Sequence, residues 1–515
     1  MIEERDDLFD ASVKFHDRHR FEIKLEMDLA DEAGAEFDME AYFFVPKALN
    51  ISPQTYSKEQ FYGDLQRYVR FQIPRMSLAK IADNSNSLSP LYRIKAGLSR
   101  LRAGERDRAL AAHIYDEFKL LGCIIRGELR DGARLFVSVL GRGENPRPGV
   151  FLAEGLENFV VDLSALSSAL ASLKREVTDS SVPASIRETA SYFDEYRSLM
   201  LEEYLTALVS ALRGAGVGGA TADPRLAASE KKLSALAAEQ EDYRRAMGYP
   251  SLYSPADGGE TLIYRRGVLK KFVSSALYLR AEVAEWTTMS QLGPGIAAGV
   301  AMLFAVAATI YAQSRYALNS AAFVMIVVVS YIFKDRIKDW LKVFFSRSMA
   351  KWLYDRRSEI LTPRDGVRIG EMREAFTFIK PGDVPADILA LRNIDNITSI
   401  EEEGKPERIF KYKKEMILRP RLIEKLHDRR KDLNDIIRFS VADFIKQADD
   451  PRADYVRVDR EGRIVSSSCP RVYRLNLVLR YAYKGRDGEA RVNRERIRVV
   501  LNKEGIVRME EVRAA

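Results

Sequence analysis

LGPGIAAGVAMLFAVAATIYAQSRYALNSAAFVMIVVVSYIFKDRIKDWLK, Leu292 to Lys342, holds two apolar runs joined by a few polar residues. The first, Leu292–Ala312, is about twenty residues, enough to cross a hydrocarbon core at about 1.5 Å per residue. The second, Ala317–Phe333, stands near the lower limit; Trp340 and the lysine stems beyond Phe333 can extend it by snorkelling. Between Trp286 and Lys334 the only charged side chain is Arg315. Apolar residues run all the way round both helices, so the stretch reads as a transmembrane hairpin with the lipid bilayer as its partner. The competing reading is a buried helical hairpin inside a soluble domain.

The flanks set the expected orientation. Arg265, Arg266, Lys270, Lys271 and Arg280 precede the hairpin, and Lys334, Arg336, Lys338, Lys342, Arg347 and Lys351 follow it. The connecting QSRYALN has a single arginine. The positive-inside rule then places both flanking regions, and both termini, on the cytoplasmic side of an inner membrane. The outer loop is too short for a ligand-binding domain. The spans carry no acidic residue, lysine or histidine, unlike a transport pathway.

Within the first span, Gly295 and Gly299 are four apart, as are Ala297, Ala301 and Ala305. Such spacing lets backbones approach closely, either between copies or on the second span. After the second span, Ile337, Trp340, Leu341, Phe344, Phe345 and Trp352 share a broad face, with Lys338, Lys342, Arg347 and Lys351 at its margins or opposite. Lys338, Trp340, Lys342, Phe344, Arg347 and Lys351 are therefore candidates for membrane-surface contact, on a helix lying on an anionic leaflet. A continuation of the span into a cytosolic bundle fits the same pattern.

The rest resembles a soluble protein in composition: 515 residues, 46% hydrophobic and 30% charged, long enough for roughly two to four domains. The formal charge of +7 is unevenly spread. From Asp335 onward 41 Lys and Arg oppose 31 Asp and Glu, against 40 and 43 before it. The two cysteines, Cys123 and Cys469, have no CxxC neighbour, which argues against a disulfide framework or a zinc site. The N-terminus, MIEERDDLFDASVKF, is polar and acidic, unlike a signal peptide.

Five segments are expected: an α+β domain over 1–155, a helical bundle leading into the membrane over 156–286, the hairpin over 287–334, an amphipathic juxtamembrane helix over 335–360, and a basic α+β domain over 361–515. HRFEIKLEMDL alternates as a half-buried strand and is expected to pair with AEFDMEAYFFVP as a short β-hairpin. SPQTYSKEQFYGDLQRYVRF reads as a capped amphipathic helix. In the C-terminal region PERIFKYKKEMILRP is a strand with Phe410, Tyr412, Met416 and Leu418 on one side. Leu422, Leu426, Leu433, Ile437 and Phe444 form a stripe on an expected helix packed against an antiparallel meander that begins near Ala453.

On the central strand of that meander Tyr473, Leu475, Leu477, Leu479, Tyr481 and Tyr483 share one face and Arg474 and Arg480 lie on the other; the next strand presents Arg494, Arg496 and Arg498. Aligned, these arginines make a candidate surface for an anionic lipid or an acidic protein, or else a solvated face. With the tyrosines turned to the core, nucleic acid is the less favoured partner. His16 and His19 of HDRH read as a solvated segment, and GxxxxGK[ST], GxSxG and HExxH are absent. No catalytic, metal-binding or cofactor-binding residue is assigned.

The function expected from this pattern is a membrane-anchored scaffold or signalling and assembly protein that self-associates. The alternatives are a membrane-tethered enzyme acting on a phosphate-bearing or lipid substrate, and an oligomeric pore gated by the cytosolic parts.

Overall fold

The computed structural model describes residues 9–29, 35–105, 107–141, 148–216, 223–284, 287–317, 320–349, 354–394, 407–430, 432–484 and 489–512. The strands are β1 (Phe9–Asp17), β2 (Arg20–Met27), β3 (Ala35–Pro46), β4 (Leu65–Phe71), β5 (Arg280–Ala284), β6 (Arg356–Leu361), β7 (Arg368–Ile379), β8 (Glu407–Leu418), β9 (Leu433–Ser440), β10 (Arg452–Val458), β11 (Ile464–Pro470), β12 (Tyr473–Lys484), β13 (Ala490–Asn502) and β14 (Gly505–Glu511). The helices are α1 (Lys58–Asp64), α2 (Leu78–Ala82), α3 (Pro90–Arg102), α4 (Arg108–Gly141), α5 (Pro148–Val177), α6 (Ala184–Gly214), α7 (Pro224–Ala246), α8 (Glu260–Ser274), α9 (Thr287–Arg315), α10 (Ala321–Met349), α11 (Ala386–Asn393), α12 (Pro420–Leu426) and α13 (Ala442–Ile445).

The chain forms two compact units. One, a mixed α+β unit, gathers residues 1–69, 279–426 and 432–515; the other, largely helical, comprises 70–278 and 427–431. The mixed unit contains an eight-stranded antiparallel sheet in the order β14-β13-β12-β3-β8-β7-β6-β5, a four-stranded sheet β1-β2-β9-β4 and the ribbon β10-β11.

Local sequence explains why β3 lies at the centre. Ala41–Val45 (AYFFV) is apolar without alternation and buried throughout, so both faces need cover. On one face Phe43 stacks on Phe410 of β8, centroids 4.5 Å apart, and meets Phe439 of β9 at 5.1 Å, which brings the four-stranded sheet over it. On the other, Val384 and Ile388 at α11 pack with Tyr42, Phe44, Ile409 and Val478. By contrast β2 alternates between buried and half-buried residues and needs cover on one side only.

This arrangement corrects several expectations. β2 does not pair with β3; it lies between β1 and β9, with Ile23 opposite Ile437, while β3 lies between β8 and β12. Residues 1–155 and 361–515 are not separate domains, because β3 completes a sheet otherwise built from residues after Leu279. The expected boundary at 155 falls inside α5. The capped amphipathic helix expected within Ser52–Phe71 stops at Asp64, and Leu65–Phe71 is strand β4. The helix expected to carry the stripe from Leu422 to Phe444 is broken: α12 ends at Leu426, and Leu433–Ser440 is strand β9, so Leu433 and Ile437 lie along a strand rather than a helical stripe. The meander β12-β13-β14 is present, and the Leu475, Leu477 and Leu479 face is buried.

In the helical unit α4 packs on α3, α6 and α8, and α5 and α6 both pack on α7. The buried positions of α5, including Leu156, Val160, Leu163, Leu166, Leu170 and Leu173, recur at spacings of three and four, as in a bundle helix.

Candidate functional site

The feature set apart from both cores is the helical pair α9–α10. The two helices pack along each other, and Ala297, Ala301 and Ala312 of α9 are buried, with Ala305 half-buried. The outward side chains are large and apolar: Ile296, Met302, Leu303 (75% exposed), Ile310 and Tyr311 on α9, and Met325, Val328, Tyr331, Ile332 and Phe333 on α10. Gly295–Arg315 has a mean hydropathy of 2.0 with 17% of its most apolar window buried. Leu152–Val177 of α5 is also long and apolar, with a mean hydropathy of 1.2, but its apolar residues turn inward as described above.

The small residues divide between two directions. Ala301 and Ala305 face the seam with α10, whereas Gly295 and Gly299 are exposed, with open space where a Cβ would stand. The juxtamembrane segment is not a separate helix: α10 runs without a break from Ala321 to Met349. Its apolar part before Lys334 is Ala321–Phe333, about 20 Å long. Lys334 Nζ lies over the Tyr331 ring at 3.6 Å, Lys338 is half-buried, and Trp340 (77% exposed) and Lys342 face outward. The side chains of Phe344 and Arg347, and the whole of Lys351, lie outside the described residues.

Both ends of this pair are tied to one another. β5 enters it and β6 leaves it, and these are neighbouring antiparallel strands at the sheet edge, with Arg280 opposite Leu361 and Ala284 opposite Arg357. Just before β6, the Asp355 carboxylate accepts from Lys58 Nζ, the Tyr62 hydroxyl (3.2 Å) and the Phe376 N–H (2.6 Å). The exit of α10 is thereby anchored to α1 and β7.

The arginine row does align, but with carboxylates of its own unit. Arg480 stands opposite Arg494, and Arg496 and Arg498 stand opposite Val478 and Asn476. Arg480 donates to Glu40 of β3 at 3.1 Å, Arg494 to Asp387 of α11 at 2.7 Å and Arg498 to Glu510 of β14 at 3.0 Å. Arg496 is buried, donating to Asn476 Oδ1 and the Leu391 carbonyl; burial, then the neighbouring Arg392, pulls its pKa down to about 10. Arg474 is exposed. The acidic partners come from distant elements, so the strand sequence alone could not disclose them.

A second group of charges was missed from sequence. Lys414 of β8 donates to Asp435 of β9 at 2.5 Å, both fully buried, and Arg67 of β4 pairs with the buried Glu374 of β7, which also accepts from the Tyr412 hydroxyl. Burial lowers the Lys414 pKa, an effect that Asp435 only partly offsets, and raises that of Tyr412. These groups converge between the two sheets of the mixed unit. Among the described residues no three His, Cys, Asp or Glu side chains gather as metal ligands, and His16 and His19 sit at the end of β1 and in the turn to β2.

No family model, curated protein or solved structure matches this chain.

Proposed function

We propose that this chain is a membrane-anchored scaffold or signalling and assembly protein, held at the inner face of a cytoplasmic membrane by α9 and α10, and self-associating. The observation that carries the reading is the display of large apolar side chains on the outside of α9 and of α10 before Lys334. Water tolerates contiguous apolar surface only up to a few hundred Å², whereas lipid tails solvate it. The β5–β6 pairing supports a re-entering chain, because strands hydrogen-bonded to each other lie on one side of any bilayer that the hairpin crosses. The basic flanks make that side cytoplasmic. Gly295 and Gly299, turned away from α10, supply a close-approach face for a second copy.

Membrane fractionation tests this reading. The full chain is expected in the membrane pellet, resistant to carbonate wash and released only by detergent. Replacing residues 285–353 by a short Gly/Asn turn joins β5 directly to β6 and should release the protein as a folded, dispersed species. Recovery of the intact parent chain from the aqueous fraction, dispersed without surfactant, overturns it.

A further inference from the structure

The helical unit contains a cleft of about 280 Å³, open to solvent on one side and lined by α4, α5, α6 and the turn Met247–Tyr249 that follows α7. Its walls are apolar, formed chiefly by Phe118, Leu170, Leu173 and Phe193. Ligand clefts start at about 300 Å³, so this one suits a small body the size of a fused bicyclic ring.

One side of the cavity is polar and built around Asp194. Its Oδ1 accepts from Arg197 Nη2 at 2.7 Å, and its Oδ2 accepts from the hydroxyls of Tyr243 (2.5 Å) and Tyr249 (2.9 Å) and from Lys174 Nζ (3.1 Å). Two cations and two phenols on one carboxylate leave the cluster net positive and fix the Lys174 ammonium in place. Of the donors on Lys174, two go to Asp194 and to the Tyr243 hydroxyl (2.6 Å); the third goes to the Met247 thioether at 3.1 Å. A thioether is a weak acceptor on a flexible side chain, and Met247 is solvent-exposed, so a carboxylate oxygen can take its place. Arg187, exposed at the rim, adds a second cation to the lining. The nearby acids are engaged elsewhere: Glu176 and Asp179 face Arg102, and Glu188 accepts from Tyr192.

We propose that this cavity binds a small monocarboxylate with an apolar, aromatic body, which would lie among Phe118, Leu173 and Phe193 while its carboxylate displaces the Met247 thioether from Lys174 and pairs with Arg187. The site lies within the helical unit and does not depend on the membrane reading.

The test is calorimetric titration of 2-naphthoate into the purified full chain in lipid nanodiscs, with empty nanodiscs as reference. Saturable 1:1 binding is expected, at least tenfold weaker for neutral 2-naphthalenemethanol and lost for 2-naphthylmethylammonium. Arg187→Glu, at an exposed position, should weaken naphthoate at least tenfold and leave naphthalenemethanol unchanged, with Arg187→Lys restoring most of the difference. Ala190→Phe, which fills the cavity, should abolish binding of both; if that variant does not fold, the Arg187 pair decides. Absence of saturable naphthoate binding at millimolar concentration overturns the proposal. So does equal binding of the cationic analogue, or indifference to Arg187→Glu.

Discussion

Lys414 and Asp435 answer one another across the interior of the mixed unit, Nζ to Oδ2 at 2.5 Å, on strands from two different sheets. Each stands where the apolar alternation of its own strand fails: Lys414 between Tyr412 and Met416, Asp435 between Leu433 and Ile437. The pair therefore works as a register pin, since slipping either strand by two residues would bury one charge without the other. Lys414→Met alone should cost about 3–5 kcal/mol, because it strands a buried carboxylate, and Lys414→Met with Asp435→Leu should recover most of that loss. Denaturant unfolding of the three proteins in one detergent checks this; a double variant that loses as much stability as the single one, or more, would contradict the pairing.

The proposed membrane hairpin, with its ends paired through β5 and β6, makes a prediction about sidedness. In a Cys469→Ser background, Glu282→Cys and Asp365→Cys, both at exposed positions flanking the hairpin, should react with a membrane-impermeant maleimide in inverted vesicles and not in whole cells. Ser314→Cys, exposed at the far end of α9, should show the opposite pattern. Labelling of all three from one side would rule out a crossing hairpin.

The two kinds of small residue on α9 should behave differently. Gly295→Leu with Gly299→Leu is expected to lower the oligomer mass in mild detergent while leaving thermal stability nearly unchanged, since both sites are open. Ala301→Leu, at a buried position, should instead lower the melting temperature. Light scattering with a thermal scan separates these outcomes, and an unchanged mass for the glycine variant would remove those residues from the interface.

Asp64 makes a specific pH prediction. Burial pushes its pKa up to about 6, against the opposing hydrogen bond from the Tyr56 hydroxyl at 2.7 Å. A carboxyl raised from 3.8 in the folded state contributes stability that is complete below about pH 4 and lost as pH rises through about 6. Asp64→Asn keeps an acceptor for Tyr56 and removes the titration. Relative to the parent, it should gain about 1 kcal/mol between pH 4 and pH 7.5, the shift being discounted for partial solvent screening. A constant difference across that range would contradict the assignment.

Gly505 opens β14 at φ +133°, and a Cβ there would come within 2.1 Å of the Arg18 carbonyl, which accepts the Ile506 N–H at 2.7 Å. Gly505→Ala should destabilise the chain by about 1–3 kcal/mol through strain at this contact between the β1–β2 turn and β14. A melting temperature equal to that of the parent would show that the turn yields freely.

Much of the secondary structure was legible where periodicity was clean. The alternation of Phe21 to Met27, the strand at Phe410–Leu418, the C-terminal meander and the long apolar helix after Leu292 all appear. What sequence concealed was partnership. Leu433 and Ile437 looked helical because Asp435 interrupts the two-residue period, and Lys414 makes that interruption tolerable. The arginine row looked unanswered because Glu40, Asp387 and Glu510 arrive from β3, α11 and β14. The cavity of the helical unit gave no linear signal, since its lining combines spaced positions from three helices and a turn.

The central position of β3 has a consequence for biosynthesis. Its two neighbours, β8 and β12, begin at Glu407 and Tyr473, so β3 must wait for strands made far downstream of it before its ladder can close. The apolar α9–α10 segment lies between β3 and β8 in the chain and is also made before that ladder can close. The nascent chain thus exposes the adhesive AYFFV strand until β8 and β12 have been made, a state in which holding chaperones would govern the yield of native protein.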